Sequence, residues 1–402
     1  MRSHNTALLL HLAWQAGEIS RADLVRETGL APSTVSGVVS ELIERGLMRE
    51  SHAARTTGGR PPIVLRFDEE RFHLLGVDLG ATHISLALTN LRAQIVAWRT
   101  VDHPVRSDPH GALERVVALV GEVLAETGVG LDAVLGLGLG VPSPVDPARP
   151  DNLSPRILPA WEGVHPAAWL AERLQIPVRV DNDANLCALA EAWHGAGKEQ
   201  PSVAYIKLGT GVGAGFILHG DILHGANGFA GEIGHTAIDS SGPQCSCGLR
   251  GCLQTLVGSA AVIERAGPDP KGKPRSLAQV ARAAALGEPA ALDAVQHAGR
   301  HLGAAIANLF NLLNPSVVVL GGGLTAAGEP LLQALRESVR ERPLWAALAS
   351  ADVVLSELGD RTAALGAATL LLQAVLHEPD AFLAPTPALQ AGSTDSARRV
   401  RA

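Results

Sequence analysis

At 402 residues, with 47% hydrophobic and 18% charged residues, the chain is too long for one ordinary core and apolar enough to fold as two or three domains. A formal net charge of −7 excludes a protein that coats nucleic acid nonspecifically, yet residues 1–66 hold eight Arg, no Lys and six acids, a small basic segment on an acidic remainder. No run of roughly eighteen or more apolar residues and no amino-terminal signal pattern occur, so a cytoplasmic protein without a membrane partner is expected.

The first predicted element is a helix over Thr6–Ala16, apolar nearly throughout and stopped by Gly17. A second follows Ser20, which pairs with Asp23 in a capping-box-like arrangement, and ends at Gly29. A third begins at Pro32-Ser33-Thr34, turns Val35, Val38, Val39, Leu42 and Ile43 inward, and stops at Gly46. Two short helices around Thr28-Gly29-Leu30 have the geometry of a helix-turn-helix. Leu47–Glu50 and Ile63–Phe67 read as the strands of a wing with a polar, basic tip. Ser33, Thr34 and Ser36 crowd the first turns of the third helix, where short hydroxyls and free amide protons suit phosphate and base-edge contacts; Arg60 at the wing tip suits a minor groove. The plain alternative is a three-helix packing domain with Ser and Thr caps, but capping explains one hydroxyl and not the cluster. Few arginines lie on the third helix, so a dimer spanning two half-sites of operator DNA is expected.

From Leu74 the pattern becomes α/β. Strand-like runs recur at Leu74–Asp78, Ile84–Thr89, Val134–Val141, Val178–Val180, Val203–Leu208, Gly213–Leu218 and Val317–Leu320, with helical stretches such as Pro109–Glu126 and Ala291–Leu313 between them. Two halves each open with a strand that runs into a small-residue turn, Gly76–Thr82 and Ile206–Gly213, which predicts two lobes and a cleft. The domains expected are a winged helix over 1–70, a two-lobed body over 71–383 and a disordered tail over 384–402.

Four cysteines occur. Cys187, on an apolar helix, reads as a core residue. Cys245, Cys247 and Cys252 crowd into eight residues among Gly and Pro, after His235, and three thiolates with one imidazole match a closed structural zinc site. Three unliganded thiols are the alternative, and their setting is not core-like.

Taken together, Gly76–Thr82, Asp181-Asn182-Asp183-Ala184-Asn185, Leu208–Gly213, Gly231-Glu232-Ile233-Gly234-His235 and the run Cys245-Ser246-Cys247-Gly248-Leu249-Arg250-Gly251-Cys252 resemble the ROK family (repressor, open reading frame, kinase) over roughly residues 5–375. The resemblance implies a two-lobed actin-like sugar-kinase (ribonuclease H-like) ATPase fold behind a winged helix-turn-helix, as in the family's repressors, and an even-numbered homo-oligomer, a homodimer or homotetramer. It places Asp183 where the family's kinases keep the general base that deprotonates a sugar hydroxyl. It makes Asn182, Asp183, Glu232, His235 and Gln254 sugar contacts, with His235 also a zinc ligand. Asp78, Gly80 and Thr82 resemble a first phosphate loop, Gly209, Thr210, Gly211 and Gly213 a second, and Gly321 and Gly322 an adenosine-side turn. Four positions depart from the kinases. Gln254 stands for Glu, Ile157 for a sugar-binding Asn, His83 for Lys and Ala81 for Gly. The function expected is therefore a repressor of sugar-metabolism genes controlled by a sugar or sugar phosphate, not an enzyme; an ATP- and Mg-dependent sugar kinase with a DNA-binding arm is the alternative.

Overall fold

The computed structural model describes residues 2–52, 63–342 and 352–382; the wing tip with Arg60 and the tail over 384–402 lie outside the described residues. Described residues up to Asp68 form one compact unit together with 374–382, and Glu69–Gln373 form another. Residues 374–382 thus pack with the amino-terminal unit, where the linear reading had placed them in the body.

The first unit holds α1 (Arg2–Ala16), α2 (Arg21–Thr28) and α3 (Pro32–Glu44). α2 starts where both capping-box bonds form between Ser20 and Asp23, and it ends on Gly29, whose φ of 66° supplies the left-handed cap. α3 buries Val35, Val38, Val39 and Leu42 on one face. Its N-cap is Ala31, with no side-chain cap, and Pro32 takes the first turn. Capping by Ser33, Thr34 or Ser36, the plain alternative for these hydroxyls, does not occur. A three-stranded sheet in the order β1-β3-β2 completes the unit, from β1 (Glu18–Ile19), β2 (Met48–His52) and β3 (Ile63–Phe67). β1 escaped the sequence because two residues carry no periodicity; it pairs Ile19 with Leu65 and Glu18 with Arg66.

The body contains two five-stranded sheets among the described residues. One runs β6-β5-β4-β7-β8, from β4 (His73–Leu79), β5 (His83–Asn90), β6 (Ile95–Asp102), β7 (Val134–Val141) and β8 (Val178–Asn182). The other runs β11-β10-β9-β12-β13, from β9 (Ser202–Leu208), β10 (Val212–Leu218), β11 (Asp221–Ile222), β12 (Val317–Gly321) and β13 (Asp352–Leu355). In both, antiparallel hairpins join parallel pairs such as β4–β7 and β9–β12. Around them lie α4 (Pro109–Thr127), α5 (Pro166–Leu174), α6 (Asp183–His194), α7 (Leu253–Val257), α8 (Ser259–Ala266), α9 (Leu277–Ala285), α10 (Pro289–Leu313), α11 (Glu329–Arg340) and α12 (Thr362–His377), followed by α13 (Pro379–Phe382). The wholly buried strands β4 and β7 were legible as apolar runs. Edge strand β6 was not, because its residues alternate between exposed and half-buried around Arg99 and Thr100.

Glycine lets helices lie directly on these sheets. A Cβ at Gly76 would stand 2.0 Å from the Ala364 carbonyl, and one at Gly138 1.9 Å from that of Ala367, so α12 seats on β4 and β7 only where the side chain is missing. Gly215 and Gly366 likewise abut the backbones of Ala184 and Leu186. α6 is gripped between β10 and α12, and it carries Asp183 at its first turn.

Candidate functional site

The cysteine-rich loop folds back on itself through backbone bonds from Cys245 N to Leu249 O and from Gly251 N to Pro243 O, both 2.8 Å. This brings the donor atoms of His235, Cys245, Cys247 and Cys252 within 4.8 Å of one another. Cys247 Sγ lies 3.6 Å from Cys252 Sγ, and Cys245 Sγ 3.5 Å from His235 Nδ1. A tetrahedral zinc with bonds of about 2.3 Å to sulfur and about 2.0 Å to nitrogen needs edges of roughly 3.6–3.8 Å, so the donor set fits that ion. Gln254 Nε2 points at Cys245 Sγ, 3.3 Å away, and at Ser246 Oγ. Its amide is thus engaged on the rim of the cysteine cluster, as a donor towards sulfur that a carboxylate could not supply.

His235 presents Nδ1 to the cysteines, while its Nε2 lies 3.9 Å from Glu232 Oε2. With Nδ1 turned to a metal, the remaining ring proton sits on Nε2 and faces the carboxylates. Burial, assisted by the Asp183 charge, raises the Glu232 pKa above its ordinary value. Asp183 Oδ2 in turn accepts from Lys207 Nζ at 2.7 Å. Burial works against the Lys207 ammonium, but Asp183 and Asp78 more than offset it, so the group titrates above its usual range. Asp78 is itself 3% exposed, and His83 Nε2 stands 3.4 Å from its Oδ2. Burial would raise the Asp78 pKa, yet Lys207 and His83 bring it below the ordinary value. The cysteine cluster, His235, Glu232, Asp183, Lys207, Asp78 and His83 therefore form one line of coupled polar groups.

Asn182 has a structural task. Its Oδ1 accepts from the amides of Ala184 and Asn185 as the cap of α6, and its Nδ2 donates to the Ser143 carbonyl at 3.1 Å. With Asn182 as the cap of α6, the Asp183 carboxylate is left to Lys207.

Sequence reasoning also missed a dyad. Asp181, 4% exposed, takes Asn185 Nδ2 and its neighbour's amide on Oδ1 and His224 Nε2 on Oδ2 at 2.7 Å. That hydrogen bond raises the His224 pKa and ties the end of β8 to the loop that continues into Glu232. A pKa raised on folding stabilises fully below the ordinary imidazole value near 6.5, and that stabilisation is lost as pH rises through the higher folded value. The wild-type unfolding midpoint is therefore expected to fall between pH 6 and pH 8 more steeply than that of His224→Gln. Parallel pH profiles in calorimetry would remove the dyad from this role.

The glycine turns have different surroundings: Gly209 has no heavy atom within 4 Å of an added Cβ, whereas others are packed. The Lys207 ammonium already stands on Asp183 and within the field of Asp78. The His83 ring lies across Gly80, where an added Cβ would meet its Cε1 at 2.2 Å. Gly321 and Gly322 have packing reasons of their own: a Cβ would strike the Tyr205 hydroxyl at the first and the Leu208 carbonyl at the second. Gly209, Thr210 and Gly211 form a tight turn closed by Gly209 N to Gly211 O, and Gly213 lies in β10. Thr82 follows β4 and accepts the His103 amide on its backbone oxygen.

In the amino-terminal unit, Ser33 and Ser36 are exposed and Thr34 is half-buried on the face of α3 away from its core. Arg45, just past the end of α3, is ion-paired with Glu41 and with Asp380, so it offers little to a phosphate. Among the described residues no helix is long and apolar enough to cross a membrane.

Comparison with known proteins agrees with both halves. Residues 74–374 match the ROK family model, and residues 6–52 match the IclR helix-turn-helix domain. The chain is 30% identical to a putative xylose repressor of Caldicellulosiruptor sp., covering 94% of this chain and 97% of that one. It is 31% identical to the DNA-binding transcriptional dual regulator NagC of Escherichia coli, over 93% of each. The crystal structure of a ROK family transcriptional regulator, a homolog of the E. coli MLC protein, superposes with a TM-score of 0.81 at 28% identity, covering 94% and 97%. A ROK family glucokinase from Streptomyces griseus, solved with glucose and AMPPNP, gives 0.65 at 28% identity over 74% of this chain and 98% of its own.

Proposed function

Because the chain belongs to the ROK family, we propose that it is a DNA-binding transcriptional repressor whose operator affinity is set by a sugar or sugar phosphate. The observation that carries this reading is a pairing within one chain: an exposed hydroxyl-bearing face on α3, and a body whose sugar-type carboxylates converge beside a metal-fixed imidazole while a lysine fills the phosphate side. His235, Cys245, Cys247 and Cys252 hold a structural zinc. The closed tetrahedron leaves no coordination position for water, so the ion organises the loop and aims His235 Nε2. Sugar hydroxyls are met by Asp183, Glu232, His235 and the oxygen of Gln254, with Asn182 holding the start of α6 in place. Asp183 is not a general base here, because its carboxylate is engaged by Lys207. The protein acts in the cytoplasm as a homodimer or homotetramer on a two-fold operator, since one α3 with few cations supplies little affinity.

The ligand controls DNA binding only through its different affinity for the two arrangements, and a tenfold change in operator affinity requires about 1.4 kcal/mol of coupling. The test is fluorescence anisotropy on an operator fragment with a panel of sugars and sugar phosphates, beside a coupled ATP-turnover assay. Release of DNA by one sugar, without turnover, is expected. Ser36→Glu, which sets a carboxylate on the reading face, is expected to weaken operator binding roughly 100-fold at an unchanged unfolding midpoint. Rapid sugar phosphorylation would favour the kinase, and indifference of both assays to every sugar would leave only an oligomerisation scaffold.

A further inference from the structure

A cavity of about 300 Å³, within the size range of small-molecule pockets, lies between the loop after β7 and the loop before Ile233–His235. Asp146, Arg149, Asn152 and Ser154 line one wall, Asn227 and Phe229 the other. Both walls connect along the chain to the sugar-type residues. Ser143, at the start of the first loop, holds Asn182 through its carbonyl, and Phe229 is three residues before Glu232. The two loops close on each other at Gly228, where a Cβ would stand 1.8 Å from the Val145 carbonyl.

The lining is chemically specific. Phe229 is 57% exposed in a chain with only 3% aromatic residues, and its ring offers a flat apolar face to the C–H side of a pyranose. The amide side chains of Asn152 and Asn227 bond to no described residue, leaving two donors and an acceptor each for ring hydroxyls. Charge separates two kinds of ligand. The cation on the wall, Arg149, spends Nε and Nη2 on Asp146 Oδ2 at 3.2 and 3.1 Å, so the lining is neutral. A phosphate dianion would find no uncompensated cation there, whereas a neutral polyol meets a matched surface.

We infer that this cavity is a second-ring subsite, and that the regulating ligand is a neutral disaccharide or glycoside rather than a monosaccharide or a sugar phosphate. The inference rests on the sugar-response reading and narrows it: one ring at Asp183, Glu232 and His235, the next over Phe229 and between the two asparagines. Ile157, half-buried against the core of the first lobe, offers no polar group to the first ring, and the second ring supplies contacts in its place.

The test uses the full zinc-loaded protein and isothermal titration with matched pairs: xylose and xylobiose, glucose with cellobiose and maltose, N-acetylglucosamine and its disaccharide, and glucose 6-phosphate. For one pair the disaccharide is expected to bind about tenfold more tightly than its monosaccharide, the scale of one aromatic face contact. Phe229→Ala should erase that gain and leave monosaccharide affinity unchanged; the exposed ring can be truncated without opening the core. Asn152→Ala with Asn227→Ala should act in the same direction. Equal or weaker disaccharide binding in every pair, tightest binding of the phosphate, or equal losses for both members of the pair in Phe229→Ala would each overturn the subsite while leaving a sugar response intact. Silence towards sugars of either size overturns the sugar response and the subsite together.

Discussion

Cys252→Ser is expected to release the zinc and lower the stability of the body by on the order of 3 to 5 kcal/mol, a fraction of the 10–16 kcal/mol that zinc supplies where it is the sole core. Cys252 is fully buried, 3.6 Å from Cys247 Sγ, and forms the cap position of α7. Its loss removes one edge of the tetrahedron and leaves a hydroxyl too short and too hard to replace it. The loop has little else to hold it: Gly251 sits so close to Asp239 that a Cβ would be 1.4 Å from its carbonyl, and the turns around it are made by backbone bonds rather than by apolar packing. Metal analysis and thermal unfolding read the result. Without zinc, His235 is free to rotate and Nε2 no longer faces Glu232, so the sugar effect on operator binding should disappear as well. Operator binding in the absence of sugar should persist, since α3 belongs to the other unit. One zinc per chain and an unchanged midpoint in Cys252→Ser would refute the assignment.

What the sequence disclosed and what it hid follow from the range of the interactions. The capping box at Ser20 and Asp23, the glycine stops and the apolar runs of β4, β7 and β9 act within a few residues, and each is legible in chain order. The cysteine cluster is likewise local, with His235 only ten residues before Cys245. The Asp181–His224 dyad spans 43 positions and the Asp183–Lys207 pair 24, and no periodicity connects their members. One signal was present: Lys207 is one of four lysines in an arginine-rich chain, and it stands in an apolar strand between Ile206 and Leu208 directly before a glycine turn. A cation in that position must have a buried carboxylate partner, which is a question the sequence poses without naming Asp183. The glycines at 76, 138, 321 and 322 were ambiguous for the same reason: phosphate loops and close helix seats demand the same residue, and only the neighbouring backbone tells them apart.

Lys207→Met is expected to destabilise the body by about 1–3 kcal/mol, because removing one member of a partly buried, hydrogen-bonded ion pair leaves the other charge poorly compensated. Two carboxylates depend on this ammonium: Asp183, which accepts its hydrogen bond, and Asp78, which feels its charge and whose Oδ1 is buried with no hydrogen-bond partner. Asp183→Asn in the Lys207→Met background should recover much of the loss, since it removes the orphaned charge at nearly constant shape, while Asp183→Asn alone leaves Lys207 with Asp78. A double-mutant cycle by denaturant unfolding isolates the pair, and a coupling energy of at least about 1 kcal/mol is expected for residues in direct contact. The same cycle decides the chemistry. If Lys207 were a catalytic cation for phosphoryl transfer, the wild type would turn over ATP with its sugar and Lys207→Met would not. If it is an internal counter-ion, neither protein turns over ATP and only stability and sugar affinity move. Additive effects of the two substitutions would deny the pair its role as an internal counter-ion.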